Sequence, residues 1–380
     1  MKADGHGAAL VHCIVGARPN FVKIAPIMAA IADSPRLEAH LIHTGQHYDV
    51  RMSEAFFEDL EIPAPDRYLG VGSGSHAAQT ARIMERYEEL VQDERPDMVL
   101  VVGDVNSTLA CSLVAAKLLV PVAHVEAGLR SGDRTMPEEI NRLVTDAVAS
   151  LLLTTCEDAD RNLLREGVSP GKIHMTGNVM IDTLLRSLPL AESKAMPNRL
   201  DLAPHDYAVA TIHRPSNVDT PEGLVRILTI LEGVGRELPV VLPVHPRTAA
   251  RLADLGFAER MRNCPGLRQV EPLRYLEFVD LMRQARLVLT DSGGIQEETS
   301  VLGIPCLTLR PNTERPITIE LGTNQLVGTD PPVVLEAASA ILAGDPIPKP
   351  AQIPLWEGQA APRVTAVLEA SLQAPLPAEA

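Results

Sequence analysis

A chain of 380 residues with 46% apolar content is too long for one ordinary hydrophobic core and carries enough apolar side chains for two. Its 34 Lys and Arg against 49 Asp and Glu give a formal charge of -15, which excludes broad binding to nucleic acid or anionic lipid. An anionic ligand must therefore be met by a local basic site. No apolar stretch precedes a cleavage site near Met1, and no later apolar run reaches about 18 residues, which predicts a cytoplasmic protein without a membrane span. The five cysteines are odd in number and contain no C-x-x-C, and the eleven histidines form no H-E-x-x-H, so neither a disulfide framework nor a metal site is expected.

In chain order, short apolar runs at 10–15, 40–43, 98–102, 120–125 and 151–154 alternate with stretches of helical periodicity. The rhythm restarts at 207–212, 240–244, 267–270, 287–290 and 306–309. Alternation of this kind predicts α/β architecture: two doubly wound Rossmann-like domains facing across a cleft. The expected bounds are 1–180 and 181–355, with the proline-bearing stretch 180–204 as linker and 346–354 as a rigid joint. A helical tail at 356–375 either ends the second domain or completes the first.

Open parallel sheets bind ligands at the carboxyl ends of their strands, so the residues just past each run carry the functional weight. After 10–15 comes Gly16-Ala17-Arg18-Pro19-Asn20-Phe21-Val22-Lys23. Without G-x-G-x-x-G it predicts no NAD site, and no cofactor is expected. The glycines at 70–74 follow no buried strand and read as a flexible loop. His213 and Arg214 follow 207–212, and His245 follows 240–244. Asp291-Ser292-Gly293-Gly294 follows 287–290 and opens a helix whose N–H groups and dipole would attract a phosphate; a Ser-capped turn is the plainer alternative. Four such turns at one edge predict a pyrophosphate held between the domains.

Acids end two adjacent strands at Asp104 and Glu126, and Glu138 opens a helix behind Pro137. On a helical wheel Ile140, Leu143, Val144 and Ala147 form a buried stripe with Glu138 opposite it, free to face the cleft. The structural alternatives are an N-cap for Asp104 and an i,i+4 pair with Arg142 for Glu138. Together the three acids suggest acid/base work on a neutral sugar ring.

These segments resemble the non-hydrolysing UDP-N-acetylglucosamine 2-epimerases, which have the GT-B fold. The resemblance spans about 10–330 and rests on G-A-R-P-N-F-V-K (16–23), H-T-G-Q-H-Y-D (43–49), G-D-V-N-S-T (103–108), H-V-E-A-G-L-R (124–130), P-E-E-I-N-R (137–142), T-G-N-V-M-I-D (176–182), D-S-G-G-I-Q-E-E (291–298) and T-E-R-P (313–316). It implies Asp104, Glu126, Glu138 and His213 as catalytic residues. It places Arg18, Lys23, His245, Ser292, Gly293, Gly294 and Arg315 around diphosphate and sugar, and Glu298 at the ribose. It implies a homodimer acting on a UDP-sugar. Tyr48-Asp49 departs from the allosterically activated subgroup, and Ile317 replaces the acid often found after T-E-R-P. A 2,3-diacetamido uronic acid substrate and a GT-B glycosyltransferase stay open as alternatives.

Overall fold

The computed structural model describes residues 7–46, 56–244, 246–344 and 352–373. His245, Tyr48, Asp49 and most of the 346–354 joint lie outside the described residues, as do the side chains of Pro246 and Arg247. The chain divides into two compact units, Met1–Leu185 with Pro354–Ala380, and Arg186–Ile353.

The first unit holds β1 (Ala9–Val15), β2 (Leu37–His43), β3 (Arg67–Tyr68), β4 (Met98–Val102), β5 (Val122–Ala127), β6 (Leu151–Thr154) and β7 (Ile173–Met175), paired in parallel in the order β3-β2-β1-β4-β5-β6-β7. β4 reads MVLVV and is buried at every position, as a central parallel strand covered on both faces must be. Ile14, Val99 and Val101 pack against Ile83, Tyr87, Ala110 and Cys111 of the covering helices.

The second unit holds β8 (Ala208–Thr211), β9 (Val240–Pro243), β10 (Leu267–Val270), β11 (Leu287–Thr290), β12 (Cys306–Thr308) and β13 (Asn324–Leu326), in the order β10-β9-β8-β11-β12-β13. Strand alternation sends Ala210, Leu242 and Leu289 to one face, onto Leu224, Ile227 and Leu231 of the helix Pro221–Gly235. Val209, Val241 and Val288 project to the other, beside Tyr207 and Met282. In each unit the order reverses beside its first strand, so the switch point lies between β1 and β4 in one and between β8 and β11 in the other.

Four sequence expectations change. The stretch 180–204 is largely helical, as Val179–Glu192 and Met196–Arg199: Pro189 removes one helical donor, while Pro197 stands in a first turn that lacks acceptors anyway. The loop 70–74 is tied down, with Val71 N donating to Thr44 O and Gly72 N to Gly45 O. β3, β7 and β13 went unpredicted because each is two or three residues long and lacks an apolar run. Finally, the helix Pro137–Val148 buries Glu139, Asn141, Arg142, Thr145 and Asp146, leaving Ile140 and Ala147 exposed and Leu143 and Val144 half-buried. Its inner side meets the polar ends of β4 and β5, where hydrogen-bond partners outweigh apolar contact.

The helix Ala360–Gln373 belongs to the first unit. The Asp182 carboxylate accepts from Ala360 N at 3.0 Å and Ala361 N at 2.7 Å, satisfying donors at its first turn, and Trp356 Nε1 donates to Thr155 O at 2.9 Å. All five cysteines are free and buried. Among the described residues no helix is long and apolar enough to cross a membrane.

Candidate active site

At the switch point of the first unit, Asn20 joins the two strand ends. Its Oδ1 accepts from Gly16 N and Ala17 N, both at 3.1 Å, while Nδ2 donates to Val102 O at 2.9 Å. This fixes the start of the helix Arg18–Ala32, which carries Arg18, exposed with its guanidinium 4.5 Å from the centre of the Phe56 ring, and Lys23, buried.

Glu126 lies within β5 rather than after it. It sits at a register shift between Val125 and Ala127 with φ of 71°, left-handed backbone that a side chain with Cβ disfavours. The bulge turns its carboxylate onto the Lys23 ammonium, and both groups are buried. Gly103 completes the pocket: at φ of 68° a Cβ there would stand 2.7 Å from Lys23 Nζ, so only glycine lets the ammonium pass.

Asp104 is not a cap, since Val105 takes that position of the helix Asn106–Lys117. Its Oδ2 accepts instead from Arg142 Nη1 at 2.5 Å, and its carbonyl accepts from Asn141 Nδ2 at 2.8 Å. Arg142 bonds Glu139 Oε2 through Nη2 at 2.5 Å, so the residue expected to pair with Glu138 serves Glu139 and Asp104. Glu139 also accepts from the N–H groups of Ser131 and Gly132 at 3.0 Å. Burial alone would raise its pKa, but those bonds and Arg142 outweigh it and hold the carboxyl below its ordinary value. Glu138 stays half-buried one residue earlier, on the first turn.

Sequence reasoning missed the support beneath this turn. His124 Nε2 lies 2.8 Å from Gly103 O and Nδ1 lies 2.6 Å from Asp146 Oδ1, while Arg130 Nη2 lies 2.7 Å from Asp146 Oδ2. Burial opposes ionisation of Asp146, but His124 and Arg130 override it and lower its pKa. Replacing Asp146 by Asn removes the carboxylate that joins buried His124 to Arg130, which keeps Glu166 as its other partner. It is expected to cost about 3–5 kcal/mol of stability, read as a fall in the unfolding midpoint in urea.

In the second unit, Asp291 at the end of β11 ties down the turn after β8. Its carboxylate accepts from His213 N at 3.1 Å, Arg214 N at 2.9 Å and Asn217 Nδ2 at 2.9 Å, and lies 2.9 Å from His213 Nδ1. Burial would raise the Asp291 pKa, but these partners outweigh it and lower it. The helix Gly293–Leu302 begins with Ser292 at its N-cap making no side-chain cap bond, so its first N–H groups keep their capacity for an anion. Behind it, Arg315 forms an ion pair with Glu297 Oε1 at 2.9 Å and donates to Glu314 Oε1 at 2.7 Å, Arg310 reaches Glu314 Oε2 at 2.8 Å, and Arg214 lies 3.8 Å from Glu314. With Asp291 beside Arg214, three guanidiniums face three carboxylates, so the attraction for an anion at this end of the sheet rests on the free N–H groups of the helix start. Of the network, only Arg214 and Arg315 lay in motifs read from the sequence as basic sites.

Glu298 is buried on the same helix and accepts from Tyr275 OH at 3.0 Å. Burial pushes its carboxyl up to about 7, with the Tyr275 hydroxyl acting in the opposite sense. The unfolded carboxyl ionises near 4.5, so the native state holds the extra proton between the two values. Stability is therefore expected to fall as pH rises from about 4.5 through about 7. Unfolding midpoints across that range should show the decline, and Glu298→Gln should flatten it.

The structure thus brings together Lys23, Glu126 and the 103–104 turn in one unit, and His213, Ser292, Gly293 and Arg315 in the other. Both groups stand at carboxyl strand ends where the strand order reverses, and each unit is a Rossmann-like module of the GT-B type. A family profile described as UDP-N-acetylglucosamine 2-epimerase matches residues 29–369. The UDP-N-acetylglucosamine 2-epimerase of Methanocaldococcus jannaschii is 43% identical over 338 residues, 87% of this chain and 91% of that protein. The UDP-2,3-diacetamido-2,3-dideoxy-D-glucuronate 2-epimerase of Pseudomonas aeruginosa is 41% identical over 359 residues, 93% and 98% of the two chains. A crystal structure of the M. jannaschii enzyme with UDP-GlcNAc and UDP superposes with a TM-score of 0.87, at 40% identity over 94% of this chain and 99% of that one. The chain belongs to the UDP-N-acetylglucosamine 2-epimerase family, whose members are isomerases.

Proposed function

We propose that the protein interconverts UDP-N-acetylglucosamine and UDP-N-acetylmannosamine without hydrolysis, through elimination of UDP and its re-addition to 2-acetamidoglucal. The observation that carries this reading is the set of carboxylates at the ends of β4 and β5, in a chain 40% identical to one crystallised with UDP-GlcNAc.

The C2 proton has no neighbouring carbonyl to acidify it, so departure of the leaving group must drive its removal. The C1–O bond breaks with its electron pair going to UDP while a carboxylate takes the C2 proton, forming the C1=C2 double bond of the glucal. UDP then re-adds at C1 as a proton is delivered to the opposite face of C2. Atoms balance with no redox step. In this scheme Asp104, Glu126 and Glu138 move protons and offset positive charge at C1. The Ser292–Gly294 turn, Arg315, His213, Arg18 and Lys23 stabilise charge growing on the diphosphate, and Glu298 accepts from the ribose hydroxyls. With Nδ1 facing Asp291, His213 keeps Nε2 for the leaving group. His245 completes the proposed set.

The P. aeruginosa relative, whose name specifies a 2,3-diacetamido glucuronate, is 41% identical and raises a second substrate. The C2 chemistry is the same for either sugar. Assays of both UDP-sugars with no acceptor present distinguish them, and a requirement for an acceptor would point to a glycosyltransferase instead.

A further inference from the structure

Away from the carboxyl strand ends, β1 and β2 place His12 opposite His40 in register, and the chain just past the helix His76–Asp93 brings Glu94 across both. Glu94 Oε1 lies 3.2 Å from His12 Nε2 and 2.6 Å from His40 Nδ1, and one donor atom from each of the three residues falls within 4.8 Å of the others. His12 is fully buried, while the side chains of His40 and Glu94 are 23% and 22% exposed. The cluster therefore has a closed floor and an open rim.

We propose that His12, His40 and Glu94 form a zinc-binding site that plays no part in the reaction chemistry. Two imidazoles and one carboxylate are a zinc ligand set that leaves the fourth, solvent-facing position to water. The far atom of each ligand already has the partner that a metal ligand needs. His12 Nδ1 faces Tyr87 OH at 3.2 Å, His40 Nε2 faces Glu38 Oε1 at 3.5 Å, and Glu94 Oε2 accepts from Arg67 Nη2 at 2.8 Å. With Nδ1–H donated to the Tyr87 oxygen, His12 Nε2 keeps its lone pair for the ion. Charge agrees: Glu38, Asp66 and Glu94 outnumber Arg67 by two around two imidazoles, the complement of a dication. Donor spacings of 2.6 and 3.2 Å need only a small expansion to reach a tetrahedron with bonds of about 2.0–2.2 Å. The three ligands lie on separate elements, so no motif spacing announces them and the sequence predicted no metal.

Chelator-stripped full-length protein titrated with zinc chloride by calorimetry is expected to bind one equivalent per chain and to gain thermal stability. His40→Ala and Glu94→Gln should each abolish that equivalent while epimerase turnover persists. Tyr87→Phe should weaken it by about 10–100-fold, because only an ion on His12 Nε2 feels the loss of that hydroxyl. X-ray absorption of the zinc-loaded wild type, which needs no variant to fold, should show nitrogen and oxygen ligands alone. No saturable binding, binding unchanged in His40→Ala, or a sulfur neighbour at about 2.3 Å would overturn the assignment.

Discussion

Glu126→Gln is expected to lower kcat by about 10²–10⁴, the range that a positioned acid or base contributes. The substitution keeps size but removes the charge and turns one acceptor oxygen into an NH2 donor. Lys23 loses its buried counter-ion, which costs about 3–5 kcal/mol when one member of such a pair goes. The two effects separate in a double variant. Lys23→Met combined with Glu126→Gln should regain much of the stability, since no charge is then stranded, yet stay inactive. Steady-state kinetics beside urea unfolding of wild type, both single variants and the double read this directly. Full turnover in Glu126→Gln would remove Glu126 from the chemistry, whatever the stability did. The left-handed backbone at Glu126 argues in the same direction, because such conformations persist where surrounding structure enforces them for function.

Gly293→Ala is expected to weaken UDP binding by between about tenfold and 150-fold, equivalent to one charge-assisted hydrogen bond of about 1.5–3 kcal/mol. A Cβ at this position would stand 2.5 Å from Arg315 Nη1 and 2.8 Å from Glu314 Oε1. Arg315 cannot swing away at little cost, since Glu297 and Glu314 both hold it. The added methyl must therefore displace either the guanidinium or the first turn of the helix, both of which belong to the proposed diphosphate site. Calorimetric titration with UDP measures the change, and an unaltered Kd would show that the nucleotide lies elsewhere.

Much of this frame was legible in the sequence because buried parallel strands announce themselves. MVLVV at β4 and LLLT at β6 were bounded to the residue, and the turns after β1, β4, β8 and β11 fell where chemistry was expected. What escaped was polar and non-local. The helical wheel of Pro137–Val148 ranked faces by apolar content alone, yet Arg142 and Asp146 turn inward because Asp104 and His124 wait there from other elements. The bulge at Glu126 leaves no trace in local composition; it exists only in the pairing with β6. The arginines beneath Gly293 were half visible, since T-E-R-P offered Arg315 while Arg310 stood unmarked outside any motif. Burial raises the Glu298 pKa, and neither that burial nor the Tyr275 contact can be read from a helix sequence whose neighbours are unknown.

In the proposed reaction, carboxylates exchange the C2 hydrogen of a UDP-sugar as UDP leaves and returns. Incubating the protein with UDP-N-acetylglucosamine in D₂O and following C2 by NMR and mass spectrometry tests it most directly. One deuterium is expected at C2 of both the gluco and manno UDP-sugars, with little free sugar. Unlabelled UDP-N-acetylglucosamine with no manno epimer formed would contradict it.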